Sequence, residues 1–330
     1  MSLVQRLQDI WYGGANVPLS LRALEPIYRG LRALHRAPYA LGWCKPQRLP
    51  VPVIVVGNIT AGGTGKTPLV IALVEALRAR GCKPGVISRG YGGGADAPVV
   101  LDSSSDAARY GDEPVLIREA TDAPVAVGRD RVAAATLLLA ARDCDVIIAD
   151  DGLQHYPLFR NVEICVIDGE RRFGNGLLLP AGPLREPLAR LDTVAFRVCN
   201  GGDAQAGEIP MRLIGDNVVA VNDVATHRPL SDFSAQRVHA MAGIGNPARF
   251  FAMLRGAGVQ VIEHPFPDHH PFQPKDLDFG DELPVLMTQK DAVKCAAFAR
   301  ANHWQIPVRA DLPQTFFDAL AARIAGFGKS

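Results

Sequence analysis

The chain has 330 residues, 48% of them apolar and 21% charged, with a net charge of +1. That balance excludes a disordered polymer, gives no electrostatic reason to expect a nucleic-acid partner, and leaves room for two domains of ordinary size. Six cysteines without a C-x-x-C pair fit a reducing compartment and speak against a zinc site.

Charge is unevenly spread. Residues 1–48 hold seven basic against two acidic side chains, +5, which leaves −4 for the remainder. Here Leu3, Leu7, Ile10 and Trp11 recur at helical spacing. After a break at residues 13–16, Leu21, Leu24, Ile27, Tyr28, Leu31 and Leu34 do the same, interleaved with Arg22, Arg29, Arg32 and Arg36. Trp11, Tyr12, Tyr28, Tyr39 and Trp43 supply amphipathic rings. Residues 1–43 are therefore expected to lie as a basic amphipathic segment in the plane of an anionic bilayer surface. The alternative is a helix pair packed on the domain. No stretch approaches the ~20 apolar residues of a spanning helix, and the N-terminus lacks the pattern of a cleaved signal peptide.

An apolar strand, residues 51–56, then runs into Thr60-Ala61-Gly62-Gly63-Thr64-Gly65-Lys66-Thr67, and a helical pattern follows with Leu69, Leu73 and Leu77. Strand, glycine-rich turn and helix are the context of a phosphate-binding loop. The glycines let backbone N–H groups turn toward an anion, and the helix N-terminus adds partial positive charge. Lys66 is placed to reach the β- and γ-phosphates, Thr67 to ligate Mg²⁺, and Pro68 fits a first helical turn. Thr60 stands where the usual pattern has glycine. The segment implies a bound nucleoside triphosphate.

Strands and helices alternate from here. A second strand over 85–88 ends in Arg89-Gly90-Tyr91, residues 94–109 read as loop, and 113–119 as helix. Residues 123–127 read as strand, 131–142 as helix, and 146–149 and 162–167 as strands. This is the pattern of a parallel α/β sheet with ligands at the strand C-termini. Beyond a polar stretch at 201–207, further strands and helices suggest a second, smaller α/β unit. Asp150-Asp151 closes the 146–149 strand. Adjacent carboxylates at a strand end behind a phosphate loop suit a Mg²⁺ shell, whereas in isolation they would be a solvated turn. Asp112 in Gly-Asp-Glu-Pro is by itself an N-cap candidate, and Arg89, Tyr91, Arg129 and Arg131 are either phosphate contacts or loop and surface residues. His269 and His270 are adjacent and face different ways, which argues against a structural metal.

Seven segments together carry a family resemblance. They are residues 56–68, 88–92, 111–114, 150–155 (Asp-Asp-Gly-Leu-Gln-His), 179–187 (Leu-Pro-Ala-Gly-Pro-Leu-Arg-Glu-Pro), 267–270 (Pro-Asp-His-His) and 288–294 (Thr-Gln-Lys-Asp-Ala-Val-Lys). In this order, over nearly the whole chain, they resemble the tetraacyldisaccharide 4′-kinases, the lipid A 4′-kinases of Gram-negative bacteria. Leu153 replaces an expected phenylalanine and Gln289 an expected glutamate; neither removes a catalytic group.

The resemblance implies ATP- and Mg²⁺-dependent phosphorylation of the 4′-hydroxyl of a tetraacylated glucosamine disaccharide 1-phosphate, giving lipid IVA. It implies a peripheral protein on the cytoplasmic face of the inner membrane with no obligate protein partner. Asp112 then accepts the hydroxyl proton with His269 as partner, and Lys66 serves the phosphates. Thr67, Asp150 and Asp151 fall on the metal, and Tyr91, Arg129, His155, Arg185 and Glu186 line the site. The expected architecture is a P-loop NTPase parallel-sheet core over 44–162, completed by a C-terminal helix over 313–330. A smaller α/β domain over 163–312 and the amphipathic segment over 1–43 complete it. The competing readings are a membrane-associated NTPase switch, against which Ala61 counts because that subgroup carries lysine before its paired glycines, and a P-loop kinase or ligase acting on a soluble metabolite.

Overall fold

The computed structural model describes residues 3–94 and 97–327, so the first two residues of the amphipathic segment and the last three of the C-terminal stretch lie outside it. Helices α1 (Leu3–Tyr12) and α2 (Leu19–Ala40) precede the first strand. One face of α2 turns to the protein body. The Tyr28 hydroxyl donates to the Arg185 carbonyl at 3.1 Å, Arg32 comes within 3.8 Å of Glu186, and the rings of His35 and Tyr39 rest on Tyr156. The Trp11 indole N–H at the end of α1 donates to the Pro180 carbonyl at 3.0 Å. The neighbouring stripe of α2 stays in solvent, with Leu24, Ile27, Leu31 and Leu34 between 47% and 71% exposed. The segment is thus both packed and amphipathic, and Arg32 is directed inward rather than to the surface.

The body begins with β1 (Val53–Gly57) and α3 (Lys66–Arg78), followed by β2 (Pro84–Ser88). The stretch expected as loop contains a short β3 (Val99–Val100) and α4 (Ala107–Tyr110). Next come α5 (Asp112–Thr121), β4 (Val125–Val127), α6 (Arg131–Ala141), β5 (Val146–Ala149) and β6 (Val162–Asp168). Every residue of β1 is buried, because helices cover both faces of its sheet. Ile54 and Val56 join Leu69 and Leu73 of α3 in one core, while Val53 and Val55 join Ala134, Ala135 and Leu138 of α6 in the other.

Strands β7 (Phe196–Asn200) and β8 (Glu208–Ile214) extend this sheet. Only then does the chain build a second sheet from β9 (Asn217–Ala220), β10 (His227–Pro229), β11 (Arg237–Ala242), β12 (Gln260–Pro265), β13 (Val285–Thr288) and β14 (His303–Ile306). Helices α7 (Pro247–Gly256) and α8 (Gln289–Cys295) belong to this lobe. The chain returns to the first sheet as β15 (Arg309–Asp311) and ends in α9 (Gln314–Ala325), whose Phe316, Leu320 and Ile324 enter the α3 core.

Among the described residues the first sheet runs β15-β8-β7-β6-β1-β5-β2-β4-β3, parallel except at its two edges, and the second runs β10-β9-β14-β13-β11-β12. The expected division at residue 163 is corrected by this order. Residues 162–214 pair with β1 and with each other, so the second lobe is an insertion between β8 and β15.

Candidate active site

The site lies where the parallel strands β1, β5, β2 and β4 end and the second lobe meets them, the place a doubly wound sheet offers a ligand. Thr60 and Ala61 root the loop: Thr60 bridges Leu184, and the Ala61 N–H donates to the Pro183 carbonyl at 2.7 Å. They fasten the loop to the 183–184 segment, which leaves Gly62 to Thr67 as the part of the loop open to a ligand. Gly65 sits at φ +92 before α3, and the Asn200 amide donates to the Thr64 carbonyl at 3.0 Å. Across the lobes Gly245 lies so close to Gly63 that a Cβ on it would stand 2.4 Å from the Gly63 nitrogen. The Arg171 guanidinium of the first lobe holds the Gly245 carbonyl at 2.7 Å. Between the lobes lies a cavity of about 560 Å³, lined by Lys66, Thr67, Asn246, Arg249, Phe250 and Lys290 among others. Its volume falls in the range of small-ligand sites.

Behind the loop, Asp150 and Asp151 are treated oppositely. Asp150 is fully buried and neither carboxylate oxygen has a hydrogen-bond partner. Burial, with Glu113 nearby, pushes its carboxyl up to about 7. A buried carboxylate with two orphaned oxygens near Lys66, the residue before Thr67, offers donors of the kind that fit a hard divalent cation. Asp151 has φ 47 and is gripped by Arg185, with contacts at 2.9 and 3.3 Å, while Lys66 stands 3.6 Å away. Burial opposes its charge, but Lys66 and Arg185 outweigh burial and hold its carboxyl well below the usual range.

Asp112, at the first turn of α5, is 5% exposed and receives the Glu113 N–H on one oxygen at 2.9 Å. Its other oxygen accepts from Nδ1 of His269, at 3.1 Å, from a loop of the second lobe where His269 adopts φ 59. Burial resists the Asp112 charge, yet the His269 hydrogen bond and Lys290 outweigh it and depress its carboxyl; the same bond raises His269. The Tyr91 ring lies 5.0 Å from that of His269. His270 turns the other way, to Asp276 at 3.2 Å.

The remaining expected residues divide. Tyr91 is exposed, with its ring beside His269. His155 lies beside the Asp150-Asp151 turn, where burial and Arg131 push its imidazole down to about 4, so it is neutral. Arg129 is exposed at the end of β4. Glu186 does not line the cleft. It is fully buried, accepting from Gln154 at 2.8 Å and Tyr156 at 3.1 Å, with Arg190 and Arg32 beside it, because it ties α2 and its neighbours together behind Arg185. Arg131, weighed only as a surface or phosphate charge, is buried and donates to the Asp151 carbonyl at 3.0 Å. Lys290 stands in the 288–294 segment, where sequence reasoning assigned it no role; its ammonium lies 3.1 Å from Glu113, 3.4 Å from Asp268 and 3.8 Å from Asp112. Its signal was its place just past the end of β13, where this fold presents chemistry.

The family model for tetraacyldisaccharide-1-P 4′-kinase (LpxK) matches residues 17–325. A tetraacyldisaccharide 4′-kinase of Stenotrophomonas maltophilia is 54% identical over 324 residues, 95% of each chain. One of Xanthomonas euvesicatoria pv. vesicatoria is 52% identical over 97% of this chain and 96% of its own. A crystal structure of LpxK from Aquifex aeolicus in complex with ATP superposes with a TM-score of 0.76 at 26% identity, covering 92% of this chain and 98% of that one.

Proposed function

The chain belongs to the tetraacyldisaccharide-1-P 4′-kinase family, and from that premise we propose how it works. It transfers the γ-phosphoryl group of ATP to the 4′-hydroxyl of a tetraacylated glucosamine disaccharide 1-phosphate, giving lipid IVA for lipid A biosynthesis. The observation that carries this reading is the Asp112–His269 pair, closed across two lobes beside a phosphate loop.

Phosphoryl transfer asks for positioning and charge neutralisation more than covalent chemistry. Lys66 and the N–H groups of residues 62–67 hold the phosphates. Thr67, Asp150 and Asp151 would hold Mg²⁺, which when bound neutralises phosphate charge. Asp112, kept ionised by its neighbours, accepts the proton of the 4′-hydroxyl, and His269 fixes the carboxylate's orientation and shares the charge change. Tyr91, Arg129, neutral His155 and Arg185 are the side chains assigned to the acceptor. The exposed apolar stripe of α2 supports a seat on the cytoplasmic face of the inner membrane, where the substrate's acyl chains stay in lipid. No described helix is long and apolar enough to cross a membrane.

The test is ATP consumption in detergent with and without acylated disaccharide 1-phosphate. Consumption stimulated by the acceptor, with phosphate recovered on the lipid, is the expected outcome. Hydrolysis at the same rate without acceptor would refute the kinase reading and favour a nucleotide switch.

A further inference from the structure

Lys290 enters the site from the second lobe, at the first turn of α8, with a side chain only 16% exposed. Its ammonium stands within 4 Å of three carboxylates: Glu113 and Asp112 on α5 of the first lobe, and Asp268 beside His269 in the second. It also lines the cavity between the lobes. The nearby Lys294 is differently engaged. It lies 3.8 Å from Asp112 but 2.9 Å from Asp291, which also holds the Thr288 hydroxyl and the Gly243 N–H, and it stacks over Phe272. Lys294 therefore belongs to the second lobe's own framework, and Lys290 is the one of these two lysines committed across the lobe boundary.

We infer that Lys290 is a positioning residue for phosphoryl transfer: reaching across the lobe boundary, it keeps Asp112 ionised and holds the loop bearing His269 against it. Crowded carboxylates at a half-dry site share protons unless a cation lies among them. The groups facing Asp112 are the Glu113 N–H and carboxylate on α5, His269 and Asp268 on the second-lobe loop, and Lys290 and Lys294 on α8. Removing one of the two lysines leaves Lys294, committed to Asp291, as the remaining cation. Asp112 then binds its proton more readily. His269, which Lys290 repels, also becomes easier to protonate. Both changes act in one direction: the competent form of the pair is reached only at higher pH.

This rests on the kinase reading, and the experiment separates the two. Wild type, Lys290→Met and Lys290→Arg are compared by acceptor-dependent ATP turnover from pH 5.5 to 9, with circular dichroism to check folding. The His269 imidazole is followed by NMR titration, which needs no turnover. Lys290→Met is expected to lose roughly tenfold or more in kcat at the acid end and less at the alkaline end, as for a base whose protonation state is displaced. KM for ATP should change little, the His269 midpoint should move up, and Lys290→Arg should restore the wild-type profile. A uniform loss at all pH values with an unmoved His269 midpoint would overturn the inference and leave Lys290 a structural ion pair. If wild type itself shows no acceptor-dependent turnover, the kinase reading fails, while the NMR titration still decides what Lys290 does. Should Lys290→Met not fold, Lys290→Gln takes its place in the same measurements.

Discussion

Replacing Leu24, Ile27, Leu31 and Leu34 of α2 together by glutamine probes the membrane assignment with little risk to the fold, since none of the four is buried. Their exposures are 47%, 58%, 63% and 71%. Full transfer of such a side chain out of water is worth about 2 kcal/mol, so the exposed fractions together represent about 5 kcal/mol. An interfacial helix sinks only its apolar face, so half of that, about 2.5 kcal/mol, is the conservative figure, corresponding to roughly 70-fold in partitioning. Sedimentation with vesicles containing anionic lipid reads this directly, and nucleotide binding in detergent serves as the control. The expected outcome is at least a tenfold loss of vesicle binding with nucleotide affinity retained. Partitioning equal to wild type would refute the argument and make the stripe an ordinary exposed surface. Arg22 and Arg29 supply exposed positive charge on α2, Arg29 in a pair with Glu25 at 2.8 Å, whereas Arg32 turns inward to Glu186. Substituting Arg22 and Arg29 by glutamine should matter most at low salt.

Other outcomes follow from the site. Asp112→Ala should cost about 10²–10⁴-fold in turnover with a smaller effect on ATP affinity, and His269→Ala should be less than additive with it; full additivity in the double variant would separate the two residues. Gly245→Ala would put a Cβ 2.4 Å from the Gly63 nitrogen, so the lobes must part. A turnover loss of about 10²-fold is expected, the scale of a 1 Å misplacement, with each lobe still folded. Normal kinetics would mean the contact is not needed for catalysis. His155 is neutral in the fold, its imidazole pushed down to about 4 from 6.5, so the unfolded chain binds the proton more readily. Stability should therefore fall as pH drops from about 6.5 toward 4, and His155→Gln should flatten that slope in thermal melts across this window; an unchanged slope would assign the acid sensitivity elsewhere.

Much of the first lobe was legible because its strands are apolar on both faces and end in chemistry. Residues 51–57 with their glycine-rich turn, and Val146–Ala149 before Asp150-Asp151, announce themselves without tertiary context. The lobe boundary was not legible. Nothing local in β7 or β8 says whether they pair with β6 or begin a new sheet; that is decided by neighbours distant in sequence. Glu186 misled for a related reason. Beside Arg185 in a polar motif it reads as a site residue, yet Arg32, Gln154, Tyr156 and Arg190, spread over 159 positions, bury it completely. Lys290 stood in the 288–294 segment, but its role was not legible because two of its three carboxylate partners, Asp112 and Glu113, come from the other lobe.

The second lobe leaves the first sheet after Ile214 and returns at Arg309, so it is moored by two short crossings lying side by side. Gly215 sits in that mooring with no room for a side chain: a Cβ there would meet Ile306 at 2.9 Å and Val308 at 3.3 Å. Both crossings lie at one edge of the first sheet, where β15 pairs with β8. Gly245, His269 and Lys290 all belong to the lobe beyond this mooring, so the contact on the loop, the partner of Asp112 and the lysine among its carboxylates share one line of attachment to the first lobe.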